Sequence, residues 1–390
     1  MPRLMIDGTP MVTNAKGVGR YAHNLCLQLA GQLPEDWDLQ ILVNRDSVGI
    51  FPEAFRGNLI PIKQASELTN AFWLLPKHAE QLKPQVLLKM AESAGHVRGI
   101  PTVTICHDID ELIRSAQQVK RNPVRALIDA CKRHYRVAAL RNSDYVICNS
   151  EFTREGVTTH YGIPSSRTAL AYCGADPRFR EISQRTDKAA VRRKYGVSKF
   201  VLVFATGDWR EISANYPFLA AKMAELHLNS CLLVAGLRRP SSYVSRLITE
   251  FKRLGLVEGE HFVLESFLPE TYFRELAELY AAADFYLELS LHEGFGMQLM
   301  EAMACGTTCL SSPRGALAEV GGEYVLLVDP TKMEEVALTL RAAYEGSLHL
   351  RDNREQVQYT RKYSWETTGR VVSQILQQIV HQSPVGLAKA

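Results

Sequence analysis

The side chains best placed to do chemistry together lie in Ser290-Leu291-His292-Glu293-Gly294-Phe295-Gly296-Met297-Gln298-Leu299-Met300-Glu301-Ala302-Met303-Ala304-Cys305-Gly306. An apolar run ends at Ser290, a glycine-rich turn follows, and a helical pattern opens near Gly296. Glycines in such a turn let backbone N–H groups approach an anion, and the helix amino terminus adds partial positive charge. The amides of Gly294, Phe295, Gly296 and Met297 therefore suit a pyrophosphate. Glu293 lies in the turn, where a carboxylate can grip sugar hydroxyls. Glu301, more than one turn into the helix, can accept hydrogen bonds from a ribose. Spacing alone is equally served by a strand, a turn and a helix carrying two solvated glutamates.

For these residues to meet a ligand, the rest of the chain must bring strand ends together. Short β-branched or apolar runs alternate with longer segments of helical period, the signature of parallel sheets covered by helices, and the alternation occurs twice. In the first half the expected strands are 4–7, 39–43, 59–62, 86–89, 102–106, 145–148 and 169–172, with helices that include 21–33 and 123–140. In the second they are 200–205, 231–235, 262–264, 285–289, 308–310 and 324–328, with helices over 271–283 and from Asp329-Pro330-Thr331 onward. Between 177 and 199 charge density rises and the apolar pattern fades, as in a connector between domains. The segment 352–380 reads as helical and 381–390 as a frayed tail. The expected organisation is an α/β domain over 1–180, a second over 181–365, and a terminal helix and tail over 366–390 packing back on the first. Open parallel sheets bind ligands beyond the carboxyl ends of their strands, so two such domains would face a central crevice.

Glu293 and Glu301, with Gly-Phe-Gly between them and the tail Ala302-Met303-Ala304-Cys305-Gly306, resemble the donor-site signature of retaining glycosyltransferase family 4. That family has the GT-B fold of two Rossmann-like domains. Further similarities run in the family's order: Gly17-Val18-Gly19-Arg20-Tyr21, His107-Asp108, Asn149-Ser150-Glu151-Phe152, Gly174-Ala175-Asp176, Leu279-Tyr280 with Ala283-Asp284, Glu319-Val320, and Tyr363-Ser364-Trp365-Glu366. The resemblance spans nearly the whole chain. It implies transfer of a sugar from a nucleoside diphosphate sugar, of UDP or GDP type, to a hydroxyl of a glycan, lipid-linked or small-molecule acceptor, with retention and without a metal or other cofactor. Gly17 and Gly19 would bring amides toward the donor phosphates or acceptor, though a lone Gly-x-Gly also makes a tight turn. His107 would lie at the reacting carbon; by itself it reads equally as a hydrogen-bonded histidine at a strand end. Glu293 would hold the donor sugar and Glu301 the ribose.

One departure from the pattern concerns charge. Where the family has two basic residues, Gly207-Asp208-Trp209-Arg210-Glu211-Ile212-Ser213-Ala214-Asn215 has Asp208 and Ala214. Losing both removes charge-assisted contacts worth ~1.5–3 kcal/mol each from the leaving diphosphate. Arg210 is the nearest replacement, with Arg238 and Arg239 as further candidates. The rival readings are an epimerase or phosphorylase on the same architecture, and a non-catalytic subunit that binds sugar nucleotides.

Composition narrows the partners. With 390 residues, 46% hydrophobic and 22% charged, the chain suits two soluble domains, and no run approaches the roughly 18 apolar residues of a membrane span. The amino terminus lacks a signal-peptide pattern, so the cytoplasm is the expected location. A net charge of +3 gives no case for nucleic acid. The eight scattered cysteines read as buried small hydrophobes, Cys305 and Cys309 one helical turn apart among them. Asp108-Ile109-Asp110 is an Asp-x-Asp, but in two Rossmann-like halves it is not expected to hold a metal. From 118 to 142, seven Lys and Arg oppose Asp129 alone, with an apolar stripe opposite. Such a helix either docks on a core or lies peripherally against anionic lipid, which here would be the inner face of the membrane.

Overall fold

The computed structural model describes residues 1–11, 17–93, 95–109, 123–207, 210–237, 241–266 and 272–382. The chain divides into two units, Met1–Gly174 with the chain from Ser364 onward, and Ala175–Tyr363. In the first unit, β1 (Arg3–Asp7), β2 (Asp38–Asn44), β3 (Leu59–Ile62), β4 (Val86–Lys89), β5 (Thr102–Cys106), β6 (Tyr145–Cys148) and β7 (Thr168–Leu170) form one sheet in the order β3-β2-β1-β4-β5-β6-β7. In the second, β8 (Phe200–Phe204), β9 (Cys231–Ala235), β10 (Phe262–Leu264), β11 (Phe285–Glu288), β12 (Thr308–Ser311) and β13 (Val325–Leu327) are ordered β10-β9-β8-β11-β12-β13. Every ladder pairing in both sheets is parallel. All thirteen expected strands are present, and no end is displaced by more than two residues.

The helices are α1 (Gly17–Gln32), α2 (Leu75–Leu82), α3 (Pro123–Asn142), α4 (Glu151–Tyr161), α5 (Pro177–Arg185), α6 (Lys188–Lys194), α7 (Tyr216–Glu225), α8 (Ser242–Arg253), α9 (Tyr272–Ala282), α10 (Met297–Ala304), α11 (Leu317–Gly321), α12 (Met333–Tyr344), α13 (Asn353–Thr360) and α14 (Trp365–Gln382). Two of them correct the sequence reading of 177–199 as a connector. Asp176 caps α5 by accepting from the Arg178 amide at 3.0 Å, Asp187 caps α6 by accepting from Ala190, and the buried Phe179 lies against Phe273 and Tyr280. Short helices with so little buried, Phe179 in α5 and no residue in α6, leave little periodic signal. The helical pattern of 352–380 likewise breaks, because Ser364 caps a new helix by accepting from the Thr367 amide at 3.1 Å.

Strand period explains how the second sheet is covered on two faces. Val201, Val203, Leu232, Val234, Phe285 and Leu287 share one core with Leu219 of α7, Leu247 of α8 and Val336 of α12. The alternate residues Phe204 and Tyr286 meet Tyr280 of α9 on the other face. Glu288 is two residues beyond Tyr286 and so is carried on that same buried side.

Candidate active site

Strand order reverses in the second sheet between β8 and β11, which are neighbours although far apart in sequence. The carboxyl ends of such a pair diverge into loops on opposite sides and leave a ligand crevice. The segment after β8 and the turn after β11 are stitched together here: Glu211 and Ser290 form an antiparallel bridge, and the Leu291 amide donates to the Arg210 carbonyl at 2.8 Å. Their side chains consequently converge. Arg210 Nη1 lies 3.8 Å from Glu293 Oε2, and Ser290 Oγ donates to Glu293 Oε1 at 3.1 Å. Glu211 accepts from the Thr206 amide at 2.6 Å and from its hydroxyl at 2.7 Å.

Glu288 completes this group and was not a sequence candidate. It is buried, and its carboxyl accepts a hydrogen bond from Tyr286 Oη. Burial, the negative charge of Glu293 and that of Glu211 push its pKa up to about 8, against the opposing Tyr286 hydrogen bond and Arg210 charge. At neutral pH Glu288 therefore stands beside Arg210, Glu211 and Glu293 mainly as a carboxylic acid.

Beyond Glu293, buried Gly294, Phe295 and Gly296 lead into α10. Gly296 is its cap at φ +95°, a left-handed conformation open to glycine, and a Cβ there would lie 2.4 Å from Leu317 Cδ2. Met297 is the first helical residue and is half-buried. Glu301 is buried within α10, so the reading of two solvated glutamates does not hold for it. A second supporting loop escaped the sequence reading. The Ala316 amide donates to the Glu293 carbonyl at 2.9 Å, and a Cβ on Gly315 would stand 2.5 Å from that oxygen. Gly315 thus lets the 312–316 loop close against the backbone of Glu293. Ala214 is exposed in a short helical turn and brings no charge, while Asp208, Arg238 and Arg239 lie outside the described residues.

In the first unit the strand order reverses between β1 and β4. Gly17 and Gly19 occupy the first turn of α1, Gly17 exposed and Gly19 buried. His107 follows β5 and is buried: its Nε2 donates to the Met90 carbonyl at 2.8 Å, its amide donates to Glu92 Oε2 at 3.1 Å, and Tyr21 meets the ring edge-on at 4.9 Å. Glu92, which the sequence reading missed, has its carboxyl pKa raised by burial, with His107 pulling it down and Asp108 adding to the rise. Lys89 at the end of β4 donates to the Gly95 carbonyl at 3.0 Å, and burial lowers its pKa to about 8. Asp110 lies outside the described residues, and among the described residues no group of three His, Cys, Asp or Glu could hold a metal.

Two family models match this chain: Glycosyltransferase Family 4 over residues 15–179, and Glycosyl transferases group 1 over residues 219–363. The chain belongs to glycosyltransferase family 4. It is 24% identical over 278 residues to the serotype-specific mannosyltransferase WbdA of Escherichia coli, covering 69% of this chain and 32% of that protein. The chain spans about a third to a half of the length of the curated relatives it matches. In fold it is similar to sucrose-phosphate synthase of Thermosynechococcus elongatus, with a TM-score of 0.70 at 19% identity over 98% of this chain and 100% of that one. It is similar also to Anabaena HepE in complex with UDP and glucose, with a TM-score of 0.62 at 17% identity over both whole chains. The two parallel sheets with their helices are the GT-B architecture.

Several positions that resemble the family serve this family 4 chain structurally. Ser150 caps α4 by accepting from the Thr153 amide at 3.0 Å. Tyr363 Oη donates to the Glu319 carbonyl at 3.4 Å, and Trp365 meets Tyr21 edge-on at 5.4 Å. Cys305 ends α10 and Cys309 lies in β12, so they are not one helical turn apart, and Cys131 is exposed where burial was expected.

Proposed function

We propose that the chain transfers a sugar from a nucleoside diphosphate sugar of UDP or GDP type to an acceptor hydroxyl, with retention at the anomeric carbon. The observation that carries this reading is the meeting of Arg210 and Glu293 where the strand order of the second sheet reverses, beside the glycine turn that opens α10. Arg210 would balance the leaving diphosphate together with the amides of Gly294, Phe295, Gly296 and Met297, with no metal ion. Glu293 would hold the donor sugar hydroxyls, Glu301 the ribose, and His107 with Gly17 and Gly19 the reacting carbon and acceptor side. Catalysis of this kind is mostly positioning and electrostatics. The UDP and glucose bound to HepE and the mannosyl transfer named for WbdA support a hexosyl donor. The acceptor class we favour is a glycan or lipid-linked sugar, which the basic segment 118–142 would approach at the inner face of a membrane.

A second reading has its own support. Ala214 carries no charge where the family has a base, and Glu211 and Glu288 crowd the remaining arginine with carboxyls. A subunit that binds sugar nucleotides without turning them over would tolerate this. Nucleoside diphosphate release from a panel of UDP-, GDP- and ADP-sugars separates the two, with Glu293→Ala and Arg210→Ala as controls. Release from one donor that both substitutions abolish supports transfer. Thermal protection by a donor without release supports the binding subunit, and neither effect overturns both.

A further inference from the structure

Exposed large hydrophobic side chains gather on two touching elements of the first unit. Leu68, Phe72 and Trp73 lie on the helical segment 67–74, Trp73 being 75% exposed, and Leu127, Ile128 and Tyr135 on α3, Leu127 being 66% exposed. Phe72 and Tyr135 meet edge-on with ring centroids 5.8 Å apart, and Arg136 donates twice to the Glu67 carboxylate, each at 3.2 Å. The two elements therefore present one continuous face.

The backbone turns these side chains outward. Residues 70–74 form a π-helical turn in which the Leu75 amide donates to the Asn70 carbonyl, and Phe72 and Trp73 are both exposed on it. The inward side is fixed: Asn70 Nδ2 donates to Thr9 Oγ1 at 2.6 Å, and Ala71 packs on Gly95, where a Cβ would stand 2.7 Å away. Thr9 lies just past the carboxyl end of β1, so the face borders the same sheet edge as His107.

Charge selects the partner. Lys77 is exposed one turn beyond Trp73, and Lys132 is exposed one turn beyond Ile128 and one before Tyr135. Glu67 is already committed to Arg136, which leaves the rim positive beside Glu80. A second copy would bring these lysines against their own kind, whereas anionic headgroups complement them. Trp and Tyr, apolar with a polar edge, suit the boundary between water and acyl chains.

We infer that this face docks on the surface of an anionic phospholipid bilayer, with Leu68, Phe72 and Trp73 inserting and Lys77 and Lys132 meeting the headgroups. The inference deepens the proposed lipid approach of the basic segment 118–142 by adding an apolar anchor beside α3, and it is independent of sugar transfer. The test is co-sedimentation of the full chain with phosphatidylcholine vesicles, with and without phosphatidylglycerol, in the absence of donor. Wild type should bind the anionic vesicles selectively, and both Phe72→Ala/Trp73→Ala and Lys77→Glu/Lys132→Glu should lower partitioning about 10-fold or more. Val257→Ala, an exposed apolar change in the second unit, should leave it unchanged. Thermal midpoints equal to wild type will show that the surface variants fold. Loss with the lysine pair but not the aromatic pair would overturn the inference and leave only a basic helix near lipid. No preference for anionic vesicles, or a concentration-dependent dimer in light scattering that Trp73→Ala dissolves, would overturn it in favour of a second copy.

Discussion

Replacing Glu288 by Gln should make the protein more stable, and increasingly so as pH rises. The unfolded chain titrates this carboxyl near 4.5 and the folded chain near 8. Between those values the native state holds a proton that the unfolded state has released. Stability from this residue is therefore full below about 4.5 and falls with rising pH until about 8. At about 1.4 kcal/mol per pH unit, the fall amounts to about 5 kcal/mol at its limit and under about 1 kcal/mol near pH 5. Gln keeps an oxygen that accepts from Tyr286 Oη and removes the charge that Glu293 and Glu211 oppose. Urea denaturation followed by far-UV circular dichroism, run on both proteins near pH 5 and near pH 8.5, reads the difference directly. The midpoints should nearly coincide at the lower pH and separate at the higher, the variant unfolding later. A gap that is constant across pH, or a variant less stable in alkali, would refute the assignment of Glu288 as a neutral buried acid.

Three further outcomes are expected. Gly296→Ala places a Cβ at φ +95° and 2.4 Å from Leu317 Cδ2, and should destabilise the second unit by ~1–3 kcal/mol, read as a melting temperature lowered by several degrees. Gly315→Ala drives a Cβ to 2.5 Å from the Glu293 carbonyl oxygen and 2.8 Å from its nitrogen; turnover should fall about 100-fold with a smaller change in donor KM, because a displacement of this size spoils alignment. Dialysis against EDTA should leave transfer unaltered, and a rate restored only by added magnesium or manganese would show that Arg210 and the backbone amides do not suffice to balance the diphosphate.

The strands were legible because parallel strands buried on both faces are short continuous apolar runs, and Phe200–Phe204 or Cys231–Ala235 can hardly be anything else. Glu293, Gly296 and Glu301 were legible because strand, glycine turn and helix follow one another locally. What escaped depends on contacts between distant segments. Gly315 supports Glu293 only because the loop after β12 folds over the turn after β11, which no spacing in the sequence reveals. Glu288 reads as an ordinary polar strand end; the available signal was a glutamate closing an otherwise apolar strand two residues from a tyrosine. The 67–74 segment hid because exposed aromatics such as Phe72 and Trp73 look the same in a sequence as core residues.

The boundary between the two units has a consequence for how the protein is made. The Ala175 amide donates to the Tyr363 carbonyl at 3.1 Å, and a Cβ on Gly174 would stand 2.3 Å from the Trp365 nitrogen. The chain thus leaves the first unit and re-enters it almost at the same point, with the second unit spliced between. On a ribosome the second unit emerges whole and can fold as one uninterrupted stretch. The first cannot finish until α14 arrives, since Ser373 Oγ donates to the Gln32 carbonyl of α1 at 3.2 Å and Gly369 gives room for the close approach of Gln28. The part synthesised first is completed last. A fragment ending before residue 365 and released from the ribosome should carry a folded second unit and a first unit that is still open to protease.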